Sequence, residues 1–398
     1  MKKPDSKMLF RHLTALLCAM VLLFSSALAD PVSPSDEKVD KIFRQQKTVG
    51  GMVVVAKDGE IVYKHCYGVA NKVEKDPVTE ETYFKLASVS KLVTAVSVMK
   101  LVETGRLDLD ANIGSILGDP PYHAANPNYP KVDLTSRILM THTAGINDSG
   151  GAFAGVKPLN PTLNPKENKK KSGFLKIKPG TEYKYSNYGA GIMGCILEAV
   201  TGKRLTEAAR ELIWDPMGID AAYNVLQLKV PENIVSTYNA DGSGNISRSR
   251  RLREAKDYRE EINLDKDYIE SYGGVWIRGE DLCRIGIMLC DMGVIDGNRI
   301  LEEETVREMI SSQQGKGGIT VDSPYGLNVE RVKNLVSGKM LYGHQGMANG
   351  VLCNLYFDPE TRFVFALVTN GTNVKNKSDR IVMLARNLFS LMWETYAK

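Results

Sequence analysis

The stretch from Ser88 to Thr104, SVSKLVTAVSVMKLVET, constrains the fold more than any other part of the chain. Leu92, Val93, Ala95, Val96, Val98, Met99, Leu101 and Val102 recur at every angle of a 100° wheel, so a helix here is apolar almost all round. Such a helix has no face to give to water and must be enclosed by other elements. Gly105 follows as its C-terminal stop, since glycine adopts the left-handed conformation that closes a helix. A two-layer domain with this helix on its surface is therefore excluded.

The enclosing elements are sought at the two ends of the chain. Val53–Ala56 and Ile61–Tyr67 read as strands joined by Lys57-Asp58-Gly59, and Asp-Gly is a hairpin turn signal. Val351–Phe357 and Phe363–Thr369 read as strands around the turn Asp358-Pro359-Glu360-Thr361, followed by an amphipathic helix from Ile381 to Met392. Between them lie helical patches at Leu134–Met140, Ala190–Val200 and Leu205–Ile213, separated by long loops. Strands at both ends with helices between predict an α/β (α+β) fold: an antiparallel sheet flanked by helices and interrupted by a mostly helical inserted lobe. The expected boundaries are a sheet-plus-helix lobe over 30–110 and 255–398 and a helical lobe over 111–254. The Gly-, Pro-, Asn- and Lys-rich stretch 147–178 is long for an internal loop and suits a site cover. Residues 246–268, dense in alternating charge, read as a solvated surface element.

The first 29 residues stand apart. Lys2, Lys3, Lys7 and Arg11 precede an uncharged run from Leu13 to Phe24 and the small-residue pattern Ala27-Leu28-Ala29, so a signal peptide with cleavage near Ala29 is expected, giving a periplasmic or secreted protein. No later stretch reaches the ~20 apolar residues of a membrane-spanning helix, and stable membrane insertion is not expected. Without the leader, 47 basic residues face 46 acidic ones, a balance that argues against nucleic acid or another polyanion as partner. Ser35 is placed as the cap of a short helix containing Lys38 and Ile42. The five remaining cysteines, Cys66, Cys195, Cys283, Cys290 and Cys353, show no close pairs and read as buried small hydrophobes. No cofactor and no metal are called for, because a metal site wants close Cys/His pairs.

Three short segments carry chemistry. Ser88-Val89-Ser90-Lys91 places a hydroxyl and an amine three apart on one helix face, with Ser88 at the positive end of the helix dipole. Burial in so apolar a helix favours the neutral amine, which can take the hydroxyl proton. Tyr185-Ser186-Asn187 offers a phenol able to relay a proton if a cation lowers its pKa, and an amide able both to donate to and accept from a substrate. Gly343-His344-Gln345-Gly346-Met347 offers a histidine to donate or shuttle a proton, a glycine that lets backbone approach the substrate, and the Met347 amide as an oxyanion donor. No G-x-S-x-G elbow is present for a Ser–His–Asp hydrolase.

Order and spacing of these segments resemble the S-x-x-K, Y-x-N and K/H-x-G motifs of the serine β-lactamase and DD-peptidase superfamily. Leu139-Met140-Thr141-His142-Thr143-Ala144-Gly145-Ile146 is similar to that family's LLTHTSGL segment, and Gly273-Gly274 with Asp281-Leu282, Tyr325-Gly326-Leu327 and Leu367-Val368-Thr369-Asn370-Gly371 resemble later ones. The resemblance is to the class C-like branch of β-lactamases, DD-carboxypeptidases, D-aminopeptidases and esterases. It implies Ser88 as nucleophile, Lys91 as its base, Tyr185 as proton relay and Asn187 as substrate contact. It also implies His344, Gly346 and Met347 as substrate-binding residues and a structural role for His142. The expected activity is hydrolysis of an ester or amide bond in a small molecule or peptide through an acyl-enzyme, esterase-like or D-amino-acid peptidase-like. A true β-lactamase or DD-carboxypeptidase, and a non-catalytic penicillin-recognising protein, stand as alternatives. His344 stands where class C β-lactamases carry Lys, and Gln345 and Met347 replace hydroxyl residues, which removes donors for a substrate carboxylate.

Overall fold

A computed structural model describes residues 35–397 except 149–158, 172, 258–260, 263, 265–267, 317–324, 334, 375–376 and 379–380. The expected leader, and residues 149–158 and 172 of the expected site-covering loop, lie outside the described residues. Helix α1 (Asp36–Gln45) precedes the hairpin β1 (Gly50–Lys57) and β2 (Glu60–Asn71). Ser35 stands at the N-cap of α1 but makes no side-chain cap bond, so its expected capping role is not realised. The hairpin turns at Asp58 and Gly59, with φ of 54° and 89°, the positive-φ geometry that an Asp-Gly pair tolerates. Short strands β3 (Asp76–Pro77) and β4 (Tyr83–Lys85) lead into α2 (Val89–Glu103). After the middle segment come β7 (Glu330–Val332), β8 (Leu341–Ala348), β9 (Val351–Asp358), β10 (Phe363–Thr369) and the terminal helix α6 (Met383–Tyr396).

Seven strands form one sheet in the order β7-β8-β9-β10-β1-β2-β3, and every pairing in it is antiparallel. Its centre joins the two ends of the chain, with Gly51 opposite Thr369 and Lys57 opposite Phe363. Strand β1 is buried on both faces. Its alternation sends Met52, Val54 and Ala56 into a large core shared with α2, and Val53 and Val55 into a smaller one under α1 and α6. Helix α2 sits in the large core with twelve of its fifteen residues buried, as its all-round apolar sequence requires.

The middle segment contributes α3 (Asn187–Thr201), the two-residue strand β5 (Ala221–Ala222) and α4 (Arg248–Glu254). Strand β6 (Trp276–Arg278) then pairs with both β4 and β5, and α5 (Gly279–Cys290) packs on the large sheet. The three-stranded sheet β4-β6-β5 thus ties the strand that delivers Ser88 to the middle segment. Cys195, Cys283, Cys290 and Cys353 are buried free thiols and Cys66 is half-buried.

Leu92 is fully buried in α2. Leu92→Ala is expected to lower the unfolding free energy by about 2–5 kcal/mol, from lost transfer energy plus the cavity left behind. Val73→Ala, at a position 90 % exposed, should change it by less than about 0.5 kcal/mol. Urea midpoints for the two variants measure the contrast.

Candidate active site

Ser88 stands at the turn from β4 into α2. Ala87 takes φ of 47°, an uncommon conformation for a residue with a Cβ, and so reverses the chain to place Ser88 at the N-cap of the helix. The amides of Val89, Ser90 and Lys91 already bond to the carbonyls three residues back, those of Leu86, Ala87 and Ser88.

Lys91, one turn on, is 1 % exposed. Its Nζ lies 3.0 Å from Ser88 Oγ, 2.9 Å from Asn187 Oδ1 and 2.9 Å from the Tyr272 carbonyl oxygen. Burial pulls the ammonium down to about 7, against the carboxylates of Asp148 and Glu330, which favour the charge. The geometry suits the neutral amine. Its two hydrogens go to Asn187 Oδ1 and Tyr272 O, acceptors that can only accept, and its lone pair is left for the Ser88 hydroxyl proton.

Tyr185 Oη lies 3.0 Å from Ser88 Oγ on the other side. Burial raises the phenol above its ordinary value, opposed by the bond to Ser88. The expected lowering by a cation is therefore not found. The Lys91 nitrogen sits over the face of the ring, 5.0 Å from its centroid, and burial outweighs it. Tyr185 is a protonated donor at neutral pH, and of the two groups on Ser88 only Lys91 can serve as base.

Asn187 opens α3 behind the N-cap Ser186, whose Oγ accepts from Gly189 N. Asp148 holds this turn: its carboxylate accepts from Ser186 Oγ at 2.7 Å and from the amides of Asn187 and Tyr188. A carboxylate on the first amides of a helix also meets the positive end of its dipole. His142, with φ of 57°, accepts the Ser186 amide on Nδ1 and lies against the Tyr185 ring, with centroids 4.4 Å apart. Its burial holds it neutral, and its contacts position the tyrosine loop, as the structural reading of its segment implies.

The third motif lies on a strand of its own, β8, which the sequence reading did not place; it read only the following strand, from Val351. Alternation along β8 puts His344 and Gly346 on the α2 side and Met347 on the side of the smaller core. Gly346 does not open backbone to a substrate as expected. A Cβ there would lie 2.3 Å from Leu86 O and 2.9 Å from Ser88 N, so the glycine lets the strand press on the backbone of the Ser88 turn itself. The Gln345 amide leaves the β9 ladder for the Glu330 carboxylate at 3.1 Å. Two residues on, the Met347 amide points the same way, toward the open edge beside Ser88.

His344 is 1 % exposed, and burial together with Lys91 pulls it down to about 3, so the ring is neutral. Nδ1 lies 2.7 Å from the Gln345 carbonyl oxygen and must donate to it. Nε2 is then an acceptor, with no partner among the described residues. The expected proton donor is in fact an acceptor toward the site.

Glu330, which the sequence gave no reason to single out, accepts from Tyr325 Oη, Tyr356 Oη and the Gln345 amide, each at 3.1 Å. Burial still raises it to about 7. Asp148 and Tyr272 were missed likewise, because their roles run through backbone groups that no side-chain pattern marks. Ser88, Tyr185, Asn187, His344 and Met347 all line one cavity of ≈ 950 Å³. Among the described residues no cluster of His, Cys, Asp and Glu could hold a metal ion.

The family model described as Beta-lactamase matches residues 36–387. The chain belongs to the β-lactamase family. Esterase EstB of Burkholderia gladioli is 30 % identical over 207 residues, 49 % of this chain and 52 % of that protein. Penicillin-binding protein 4 of Amycolatopsis lactamdurans is 26 % identical over 354 residues, 84 % of each chain. The solved structure of the octameric penicillin-binding protein homologue from Pyrococcus abyssi shares the fold, with a TM-score of 0.67 at 21 % identity, over 92 % of this chain and 78 % of that one. This is a family of serine hydrolases with a mixed fold built on an antiparallel sheet, as the three motifs imply.

Gly346→Ala is expected to push β8 off the Ser88 turn. The clash is with backbone, so it should cost about 1–3 kcal/mol of stability and slow labelling of Ser88 by a fluorophosphonate. Labelling at the wild-type rate would mean that the strand relaxes without disturbing Ser88.

Proposed function

We propose that this chain is an exported serine hydrolase that cleaves an ester or amide bond through an acyl-enzyme on Ser88. The observation that carries the reading is one hydroxyl held at 3.0 Å by both a buried amine and a buried phenol. Lys91 takes the Ser88 proton as Oγ bonds to the substrate carbonyl carbon, and the resulting oxyanion faces the Ser88 and Met347 amides. Tyr185 hands its proton to the leaving group as the bond to it breaks, which leaves a phenolate beside the Lys91 ammonium in the acyl-enzyme. Water then attacks the acyl carbon with the same groups acting in reverse. Export rests on the leader-like first 29 residues.

Small esters or D-amino-acid amides are favoured over penicillins. A neutral His344, its one N–H already given to Gln345, supplies neither charge nor donor to a carboxylate next to the scissile bond. Loss of a buried charge-assisted hydrogen bond lowers affinity by about 10- to 150-fold. The esterase relative favours the same reading. A second reading, β-lactamase or DD-carboxypeptidase, has the nearly full-length likeness to a penicillin-binding protein in its favour.

Ser88→Ala should give no fluorophosphonate adduct, and Lys91→Ala should abolish acylation. Tyr185→Phe should lower turnover of an amide by about 10²–10⁴-fold. Since only the neutral amine accepts a proton, kcat/KM on an ester should rise with pH through about 7 and level off above it. A profile flat from pH 5 to 9, or near-normal turnover in Tyr185→Phe, removes the corresponding residue from its role.

The substrate preference is read from kcat/KM on a p-nitrophenyl short-chain ester, a D-alanine amide, nitrocefin and a D-Ala-D-Ala peptide. The first two should exceed the last two. Nitrocefin turnover well above the ester restores the β-lactamase reading.

A further inference from the structure

The cavity extends from Ser88 past β4 to α4, and two cations face it there without the partners that buried charges normally have. Lys85 ends β4 and is paired with Trp276 of β6, so the two side chains stand next to each other on one face of the small sheet. Arg251 of α4 lies over the Trp276 ring, 5.8 Å from its centroid. All three line the same cavity as Ser88. Residues 246–268 were expected to be a solvated surface element, but Arg248, Arg251, Leu252 and Ala255 in it are half-buried.

Neither cation is satisfied. The Arg251 Nε is buried without a partner among the described residues. The carboxylate on its own helix, Glu254, approaches Nη1 only to 3.8 Å, beyond hydrogen-bond distance, and is bonded instead to Arg250 at 2.7 Å. Lys85 Nζ has neither hydrogen bond nor ion pair among the described residues. Burial and the neighbouring Arg251 pull Lys85 down to about 8, and the more distant charges of Glu270 and Glu254 do not offset them. Burial lowers Arg251 as well.

The cavity also has carboxylates, and they do not meet this need. Glu330 is tied by three donors at the other end, Glu254 is held by Arg250, and Asp257 and Glu270 form no ion pair with Lys85 or Arg251. Partly buried cations without a hydrogen-bonded acceptor among the described residues, beside an indole and open space, suit an anion from outside the chain.

We propose that Lys85 and Arg251 form a carboxylate-binding subsite, and that the preferred substrate is an ester or amide with a carboxylate on the arm that runs from Ser88 along β4. This rests on the acyl-transfer reading above and adds the substrate class to it. A guanidinium beside an indole can offer two N–H groups to a planar carboxylate, and the lysine supplies a second charge. Lys85 and Ser88 are three residues apart, so their Cα atoms are at most about 11 Å apart. A carboxylate about five carbons from the scissile carbonyl falls within that limit. The subsite is built from side chains of β4 and α4 and not from His344, so it does not reinstate the carboxylate contact next to the scissile bond that His344 lacks.

The test compares mono-p-nitrophenyl adipate, the methyl ester of the same compound, and p-nitrophenyl 6-aminohexanoate on the full chain. Wild-type kcat/KM for the adipate should exceed that for the methyl ester by at least about 10-fold, mostly through KM. The amine substrate should be the poorest of the three. In Lys85→Met and Arg251→Met the adipate-to-methyl-ester ratio should fall toward one, and in Lys85→Arg, which keeps the charge, it should recover. A wild-type ratio near one overturns the subsite, and this measurement needs no variant to fold. So does a ratio that survives loss of both cations, or an amine substrate that is the fastest, which would give this wall to its carboxylates. Hydrolysis of none of the three esters overturns the serine-hydrolase reading and the subsite with it, whereas hydrolysis of all three at equal rates overturns the subsite alone.

Discussion

A lysine amine enclosed in an apolar core is the constraint around which the rest of this protein is arranged. Removing a charge from water is costly, and a side chain so placed lowers its pKa unless carboxylates meet it directly. Here they do not. Asp148 and Glu330 act on Lys91 from a distance, while the contacts within hydrogen-bond range are a hydroxyl, an amide oxygen and a main-chain carbonyl. Each contact comes from a different part of the chain, so the amine is oriented only when α2, α3 and the Tyr272 turn are all in place. The all-round apolar sequence of α2 is the other side of the same requirement: the helix must be enclosed for the lysine to be dry.

The same burial reverses two chemical roles that residue type alone suggests. A tyrosine near a lysine reads as a candidate phenolate, but with both inside the core the phenol stays protonated. A histidine near a serine reads as a proton donor, but a neutral ring whose N–H is spent on the next carbonyl presents only a lone pair. Side-chain identity fixes which protons are available, and the surrounding dielectric and backbone decide where they sit.

Much of this was legible in the sequence for definite physical reasons. Helix α2 and the strands around Val53, Ile61, Val351 and Phe363 declare themselves through periodicity and turn residues, and the motifs bring Lys91 and Tyr185 to the Ser88 hydroxyl, with Asn187 bonded to Lys91. Strand β8 was missed because its Gly343 and Gly346 break the apolar alternation that identifies a strand, and those glycines are there for close packing against Leu355 O and Leu86 O. Asp148, Tyr272 and Glu330 were missed because each acts through or upon main-chain groups, which leave no trace in residue type. Arg251 was hidden in a charged run, and only the tertiary position of α4 turns it toward Trp276.

The pairing of β1 with β10 has a bearing on how the chain reaches this state. Gly51 and Thr369 are neighbours in space and 318 positions apart in sequence, so the central seam of the large sheet closes one of the longest loops the chain can make. Loop-closure entropy must be met before that seam returns any contact energy, which makes such topologies slow to fold. Until the last strands arrive, α2 lacks much of its cover and the lysine on it stays wet and fully charged. Closure of that seam completes the burial that lowers the Lys91 pKa, so the acidity of this one amine is tied to the meeting of the two ends of the chain.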